Sequence, residues 1–217
     1  VLGWWLTLQL FGLAALPLTM RLLKNLPDRG WAFARPVGLL AVGYLLWLGA
    51  TLGVVSNSWS SIVGLLLVVA ALSVVAGWRE LVALPAFLRE RRRPLIAVEA
   101  LFALAFLLWV VVRAYDPAIS GTEKPMELLF TNGVLRSDQF PPIDPWLSGY
   151  PISYYYFGYV IAAMLTRFDG IDARFAFNLM LPTLFALTVT GAYSIGSALA
   201  LGSLRRRVGQ GLLAVGL

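Results

Sequence analysis

The sequence predicts an all-α fold: a polytopic transmembrane helical bundle with a long extracytoplasmic loop containing a membrane-surface amphipathic helix. Three observations predict it. Of 217 residues, 59% are hydrophobic and 13% charged, whereas a soluble domain carries about 25% charged residues. Several apolar runs reach about 20 residues, the length a helix needs to cross a bilayer. Lys and Arg outnumber Asp and Glu by 17 to 11, and the excess sits in short connections, as expected for cytoplasmic loops beside anionic headgroups. The lipid bilayer is therefore the expected partner, and no pattern points to nucleic acid.

Cysteine and histidine are both absent. That excludes Ser-His-Asp triads, cysteine nucleophiles, and His- or Cys-ligated zinc, haem and iron–sulfur sites. Carboxylates, Lys, Tyr, Ser/Thr and an oxygen-bound metal remain for chemistry. The chain starts at Val1 and stops at Leu217 inside an apolar run. It reads as a fragment of a longer protein, and residues 1–20 lack the basic leader of a signal peptide.

In order, Val1–Met20 is the first expected span. Arg21, Lys24, Arg29 and Arg35 make the next loop cytoplasmic. Pro36–Val55 and Ile62–Trp78 are the second and third spans, joined by an uncharged turn with Trp59 at headgroup level. Arg79 to Arg93 reads as a cytoplasmic interfacial helix broken by Pro85. Leu95–Val112 is the fourth span, with Glu99 close enough to Arg91–Arg93 to pair or snorkel. Spans over Tyr150–Phe168 and Phe175–Leu201 follow. Strict alternation then puts Arg205, Arg206 and Arg207 outside, against the positive-inside rule. The expected division is 1–93, N-terminal spans with basic loops, and 94–217, a region with spans near 95–112, 150–168 and 175–201. The expected location is the plasma membrane, with loop 115–149 extracytoplasmic.

The polar stretch 115–157 carries five of the eleven acids, Asp116, Glu123, Glu127, Asp138 and Asp144. It is too long for a simple connector. Ser120 and Glu123 have capping-box spacing, ahead of an amphipathic helix from about Gly121 to Arg136. Glu123 reads either as that cap or as a carboxylate at the membrane boundary, placed to take a proton or hold a divalent cation. Phe140 to Pro151 holds four prolines within eleven residues, which forbids helix and favours stiff extended backbone. Tyr154, Tyr155 and Tyr156 fit an aromatic belt, but three in a row point all round a helix, so one must face protein or a cavity.

The strings Gly121-Thr122-Glu123-Lys124-Pro125-Met126-Glu127, Phe140 to Trp146, and Tyr154-Tyr155-Tyr156-Phe157-Gly158-Tyr159 resemble the Chlor_Arch_YYY family. That is a set of large membrane proteins of uncharacterised function named for this tyrosine triplet. The family is in turn similar to the GT-C superfamily of integral-membrane glycosyltransferases. Those enzymes place an acid in the first large extracytoplasmic loop, beside surface-lying helices, and use a polyprenyl-phosphate sugar donor. The resemblance implies that Glu123 takes the place of the loop acid, with Asp116 second, either also serving a divalent cation if one is used. GT-C loops often carry an adjacent acid pair, whereas Lys124 follows Glu123 here. The implied substrate-binding residues are Lys124 and Arg136 for the lipid phosphate, Asp144 for the acceptor, and Tyr154, Tyr155 and Tyr156. The alternative is a non-enzymatic membrane protein, a transporter or assembly scaffold.

Overall fold

The computed structural model describes residues 1–200. Among these residues the chain is helical, with one isolated antiparallel bridge between Ile143 and Pro151. The helices are α1 (Leu2–Leu22), α2 (Ala34–Thr51), α3 (Trp59–Ala76), α4 (Trp78–Tyr115), α5 (Lys124–Arg136), α6 (Phe157–Asp169) and α7 (Ala173–Leu199). Five are long and apolar enough to cross a membrane: α1, α2 with its leading 3₁₀ turn, α3, α4 and α7. Large apolar side chains such as Leu13, Leu40, Leu67, Leu104 and Leu184 point outward from them. Water would penalise that surface, whereas hydrocarbon solvates it.

Local chemistry sets the helix ends. Ser58 caps α3 by accepting from the Ser61 N–H, and Asp172 caps α7 by accepting from the Arg174 N–H at 2.8 Å. Gly170 ends α6 in the left-handed conformation. The core gathers Trp4, Leu8 and Phe11 of α1, Val42 and Leu46 of α2, Ile62 of α3, Phe102 and Phe106 of α4, and Met164 of α6. The indole of Trp4, fully buried, donates to Thr183 on α7 at 2.9 Å. The expected boundary at 93–94 falls inside α4, and this one cluster draws on both sides of it.

Contacts at the helix ends define two faces. The starts of α1 and α7 and the end of α4 share a cleft lined by Val1, Arg113 and Asn178. At the opposite face Ser194 of α7 donates to Asp28, between α1 and α2, at 3.1 Å. Tyr193 there joins Ala32 and Val98. The face carrying Arg21, Lys24 and Arg29 is called the basic face, and the other the loop face.

The structure corrects several expectations. The fifth span over 150–168 does not form: α6 begins at Phe157 and has 13 residues, about 20 Å at 1.5 Å per residue against a ~30 Å hydrocarbon core. Both of its ends stay at the loop face. Tyr156 accepts from Trp47 near the end of α2, and Asp169 accepts from Thr7 in the second turn of α1. Among the described residues five helices are therefore long and apolar enough to cross, and α7 returns to the basic face. Arg205–Arg207, which six crossings put on the outer side against the positive-inside rule, lie outside the described residues.

The capping box is also absent. Gly121 and Thr122 both take positive φ, so the chain turns sharply and α5 starts only at Lys124, with Glu123 at the N-cap making no side-chain bond. Pro85 does not break its helix. The kink in α4 is at Arg91, three residues before Pro94, whose ring cannot fit behind a regular turn. Glu99 does not pair with Arg91–Arg93. It faces inward, bonding the guanidinium of Arg35 and, at 2.7 Å, the indole of Trp31.

Candidate functional site

The polar stretch folds onto the loop face as an ordered cap. Asn57, in the α2–α3 turn and 1% exposed, donates to the carbonyls of Val134 at 2.8 Å and Ser137 at 3.0 Å. Its backbone N–H donates to Asp138 O, and that of Phe140 to Ala50 O. The proline-rich part turns back on itself through the Asp144 N–H to Tyr150 O and Ile152 N–H to Pro142 O bonds. It then lies along α5, where Gly133 leaves only enough room for Pro145. The face of α5 that buries Phe130 and Val134 therefore meets protein rather than lipid, contrary to the surface-lying helix expected.

Two features flank α5. On one side is a cleft of about 770 Å³ lined by Val110, Arg113, Ala114, Asp169, Phe175, Asn178 and Leu179 among others. A recess of about 520 Å³ adjoins it under α5, sharing Leu128, Ile171 and Arg174 and adding Arg167. Arg113, on the last turns of α4, donates through Nε to Asn178 Oδ1 at 2.8 Å and through Nη2 to Ala118 O at 3.2 Å. Arg174 is forked onto Asp172, and this bond holds the Asp172 carboxyl below the usual carboxylate range. Arg167 donates through Nη2 to Leu135 O, and its buried Nε has no partner. Asp169 is the carboxylate of this cleft. The chemistry is an apolar wall below a rim of three guanidinium groups and two carboxylates, Asp169 and the Asp172 that Arg174 holds.

On the other side of α5 is an aromatic platform. Phe130 lies at ring-centroid distances of 6.0 Å from Trp146, 5.7 Å from Tyr154 and 5.6 Å from Tyr159. Tyr155 stacks on Tyr154 at 3.9 Å, and the Tyr154 hydroxyl donates to that of Tyr155 at 2.6 Å. That bond, with lesser help from Glu123, pushes the Tyr154 pKa up to about 12. Partial burial, then Glu127, Tyr155 and Glu123, push Tyr159 up as well. The two glutamates thus act on these tyrosines through their charge.

The residues singled out from the sequence do not converge on one point. Glu123 is exposed at the platform, and Lys124 opens α5. Asp116 accepts from the Ala118 N–H at 3.4 Å, a local turn bond. Arg136 and Asp144 share a third concavity, about 640 Å³, with Asp138 and Ser148. Asp144 also accepts from the Trp146 and Leu147 N–H groups. Tyr154 and Tyr155 form the platform, while Tyr156 turns inward to Trp47 and Phe140. No group of three or more metal-ligating side chains gathers among the described residues. A divalent cation finds no ready ligand set among these residues.

Sequence reasoning missed Arg113, Arg167, Asp169 and Asn178 as site residues. Arg167 and Asp169 were assigned to the opposite face by the extra crossing. The available signal was the apolar run Val160–Leu165, which ends at Thr166 and Arg167 and is too short to span.

Five spanning helices and a folded polar cap define an integral, multi-pass membrane protein. Residues 41–217 match the model of a family described as "Uncharacterized membrane protein (DUF2298)", and the chain belongs to that family. No curated protein and no solved structure matches it.

Proposed function

We propose that the protein is a glycosyltransferase of GT-C type, acting at the loop face on a polyprenyl-phosphate-linked sugar. One observation carries this reading: the cleft between α4 and α7 joins an apolar wall to a rim of Arg113, Arg174 and Asp169. An isoprenoid chain suits Val110, Ala114 and Phe175, and guanidinium groups suit its phosphate. The layout adds support. Helices α5 and α6 lie between two spanning helices, as do the surface-lying helices of GT-C enzymes, to which the family that the loop motifs resemble is in turn similar. In this reading the basic face is cytoplasmic, the loop face extracytoplasmic and the membrane the plasma membrane. The boundary near residue 94 then divides a frame that lends Val1 and Thr7 to the cleft from the part that carries most of the site.

In the transfer, an acceptor hydroxyl attacks the anomeric carbon and the carbon–oxygen bond to phosphate breaks. The phosphate leaves with the electron pair, and a carboxylate takes the hydroxyl proton. Asp169 stands in the cleft for that role, held by Thr7 at 3.0 Å. Glu123 competes for it from the platform, where Tyr154, Tyr155 and Trp146 offer faces to a sugar ring. Asp144 and Arg136 would bind further along the acceptor. The test is sugar transfer from a polyprenyl-phosphate donor by the full-length protein and by Asp169→Asn, Glu123→Gln and Asp116→Asn. Loss of a general base lowers turnover about 10²- to 10⁴-fold. That loss in Asp169→Asn supports the assignment, and undiminished transfer in all three removes it. Substrate-dependent uptake in proteoliposomes without a transfer product would favour the transporter alternative.

A further inference from the structure

We infer that the first half of α4, Trp78 to Arg93, is a binding collar for anionic phospholipid headgroups at the basic face. Its placement comes from three contacts with the last turns of α1. Gly77, just before it, lies against the backbone of Pro17. Phe87 packs with Leu16 and Met20, and Leu95, just after it, joins the same cluster. Eighteen residues of chain thus begin and end at one level of α1. The segment lies across the end of the bundle, and the kink at Arg91 turns it into the span.

The outward side has the chemistry of a bilayer interface. Trp78 is 59% and Val82 65% exposed, with Leu88 beside them. Arg79, Arg89, Arg91, Arg92 and Arg93 are exposed, against only Glu80 and Glu90. Among the described residues the ion pairs are Arg35–Glu99 and Arg174–Asp172, so none of these five arginines is paired with a described carboxylate. Arg21, whose Nη1 caps the Ala76 carbonyl, and Arg29, which lies over the Phe87 ring at 5.3 Å, extend the positive field. Exposed apolar side chains interspersed with guanidinium groups match an interface of acyl chains topped by phosphates, where long arginines reach up to the headgroups. A second protein of opposite charge would need only the arginines, and Trp78, Val82 and Leu88 would gain nothing from it.

The collar is on the face opposite the cleft, so it stands or falls separately from the proposed activity. The test uses the full-length protein in vesicles of equal phosphatidylcholine and phosphatidylglycerol, extracted into neutral detergent, with retained lipid measured by native mass spectrometry. The wild type is expected to retain phosphatidylglycerol over phosphatidylcholine at least fivefold, the effect of about one basic residue at an anionic surface. Arg89→Gln/Arg92→Gln/Arg93→Gln brings the ratio near one, and the matching Lys triple keeps it. Equal retention of both lipids by the wild type overturns the inference, as does an unchanged ratio in the Gln triple. Dimerisation in both lipids that the Gln triple abolishes would assign the surface to a second copy instead.

Discussion

Ser194, on the last turns of α7, donates a 3.1 Å hydrogen bond to Asp28 in the loop between α1 and α2. Asp28 also accepts from the Gly30 and Ala32 N–H groups and is 5% exposed, so this junction is built rather than incidental. It places the end of α7 on the basic face. Everything from Asp116 to Asp172 then belongs to the loop face.

That topology is checked by labelling. The chain has no cysteine, so single introduced cysteines give a clean background. Cysteines at Gly121, Ser148 and Gly170 are expected to react with a membrane-impermeant maleimide from one side, and those at Lys24 and Arg89 from the other. Reaction of Gly170→Cys together with the Lys24 group would restore the sixth crossing.

The Arg35–Glu99 pair makes a stability prediction. Arg35 is 3% exposed, bonded to Gln9 at 2.6 Å and to Glu99, with Phe102 4.1 Å below its guanidinium. Arg35 is buried but the Glu99 side chain is 36% exposed, so removing one partner leaves a charge uncompensated at less than the ~3–5 kcal/mol of a fully buried pair. Glu99→Ala should lower the unfolding temperature in detergent well below that of Glu99→Gln. The double variant Arg35→Met/Glu99→Leu should recover most of the loss. A double variant worse than both singles would contradict this.

Close packing of α1 on α2 depends on a missing side chain. A Cβ at Gly38 would fall on the Phe11 carbonyl, which is backbone and cannot move aside. Gly38→Ala is expected to destabilise by at least the ~1–3 kcal/mol typical of overpacking. Gly64→Ala, where a Cβ meets nothing within 4 Å, should be neutral or slightly stabilising as Ala favours helix. Thermal unfolding of the two variants checks the contrast.

The tyrosine platform makes a pH prediction. The folded pKa of Tyr154, about 12, lies above the ~10 of a free tyrosine. Its protonated form is therefore favoured by folding. The stabilisation is fully present below pH ~10 and is lost as pH rises towards 12. Tyr155→Phe removes the acceptor and should return one tyrosine to the ordinary range in an ultraviolet titration. An unchanged titration would mean that the hydroxyls are not bonded.

Much of the frame was legible because apolar length and basic loops report directly on membrane crossing. Helices α1, α2, α3 and α7 lie close to their expected positions. The polar stretch was recognisable by its acids and prolines, but its interior was not. Ser120 and Glu123 had capping-box spacing, yet the positive φ at Gly121 and Thr122 moved the helix start. Tyr150–Phe168 had a span's average composition, yet Pro151 and the non-helical tyrosines 154–156 leave only 13 helical residues. That single miscount sent Arg167 and Asp169 to the wrong face and hid the cleft. Glu99 was seen as an intramembrane acid, but its partner, Arg35, lies 64 residues away, and local spacing carries no information about such a pair.

The most direct test of the central claim is binding of farnesyl phosphate, a short isoprenoid phosphate, to the purified full-length protein, followed by native mass spectrometry. Saturable binding is expected, weakened about tenfold by Arg174→Gln, in keeping with the loss of one charge-assisted hydrogen bond. The basic-face triple Arg89→Gln/Arg92→Gln/Arg93→Gln should leave it unchanged. No saturable binding, or binding lost in the triple but kept in Arg174→Gln, would contradict a lipid-phosphate site between α4 and α7.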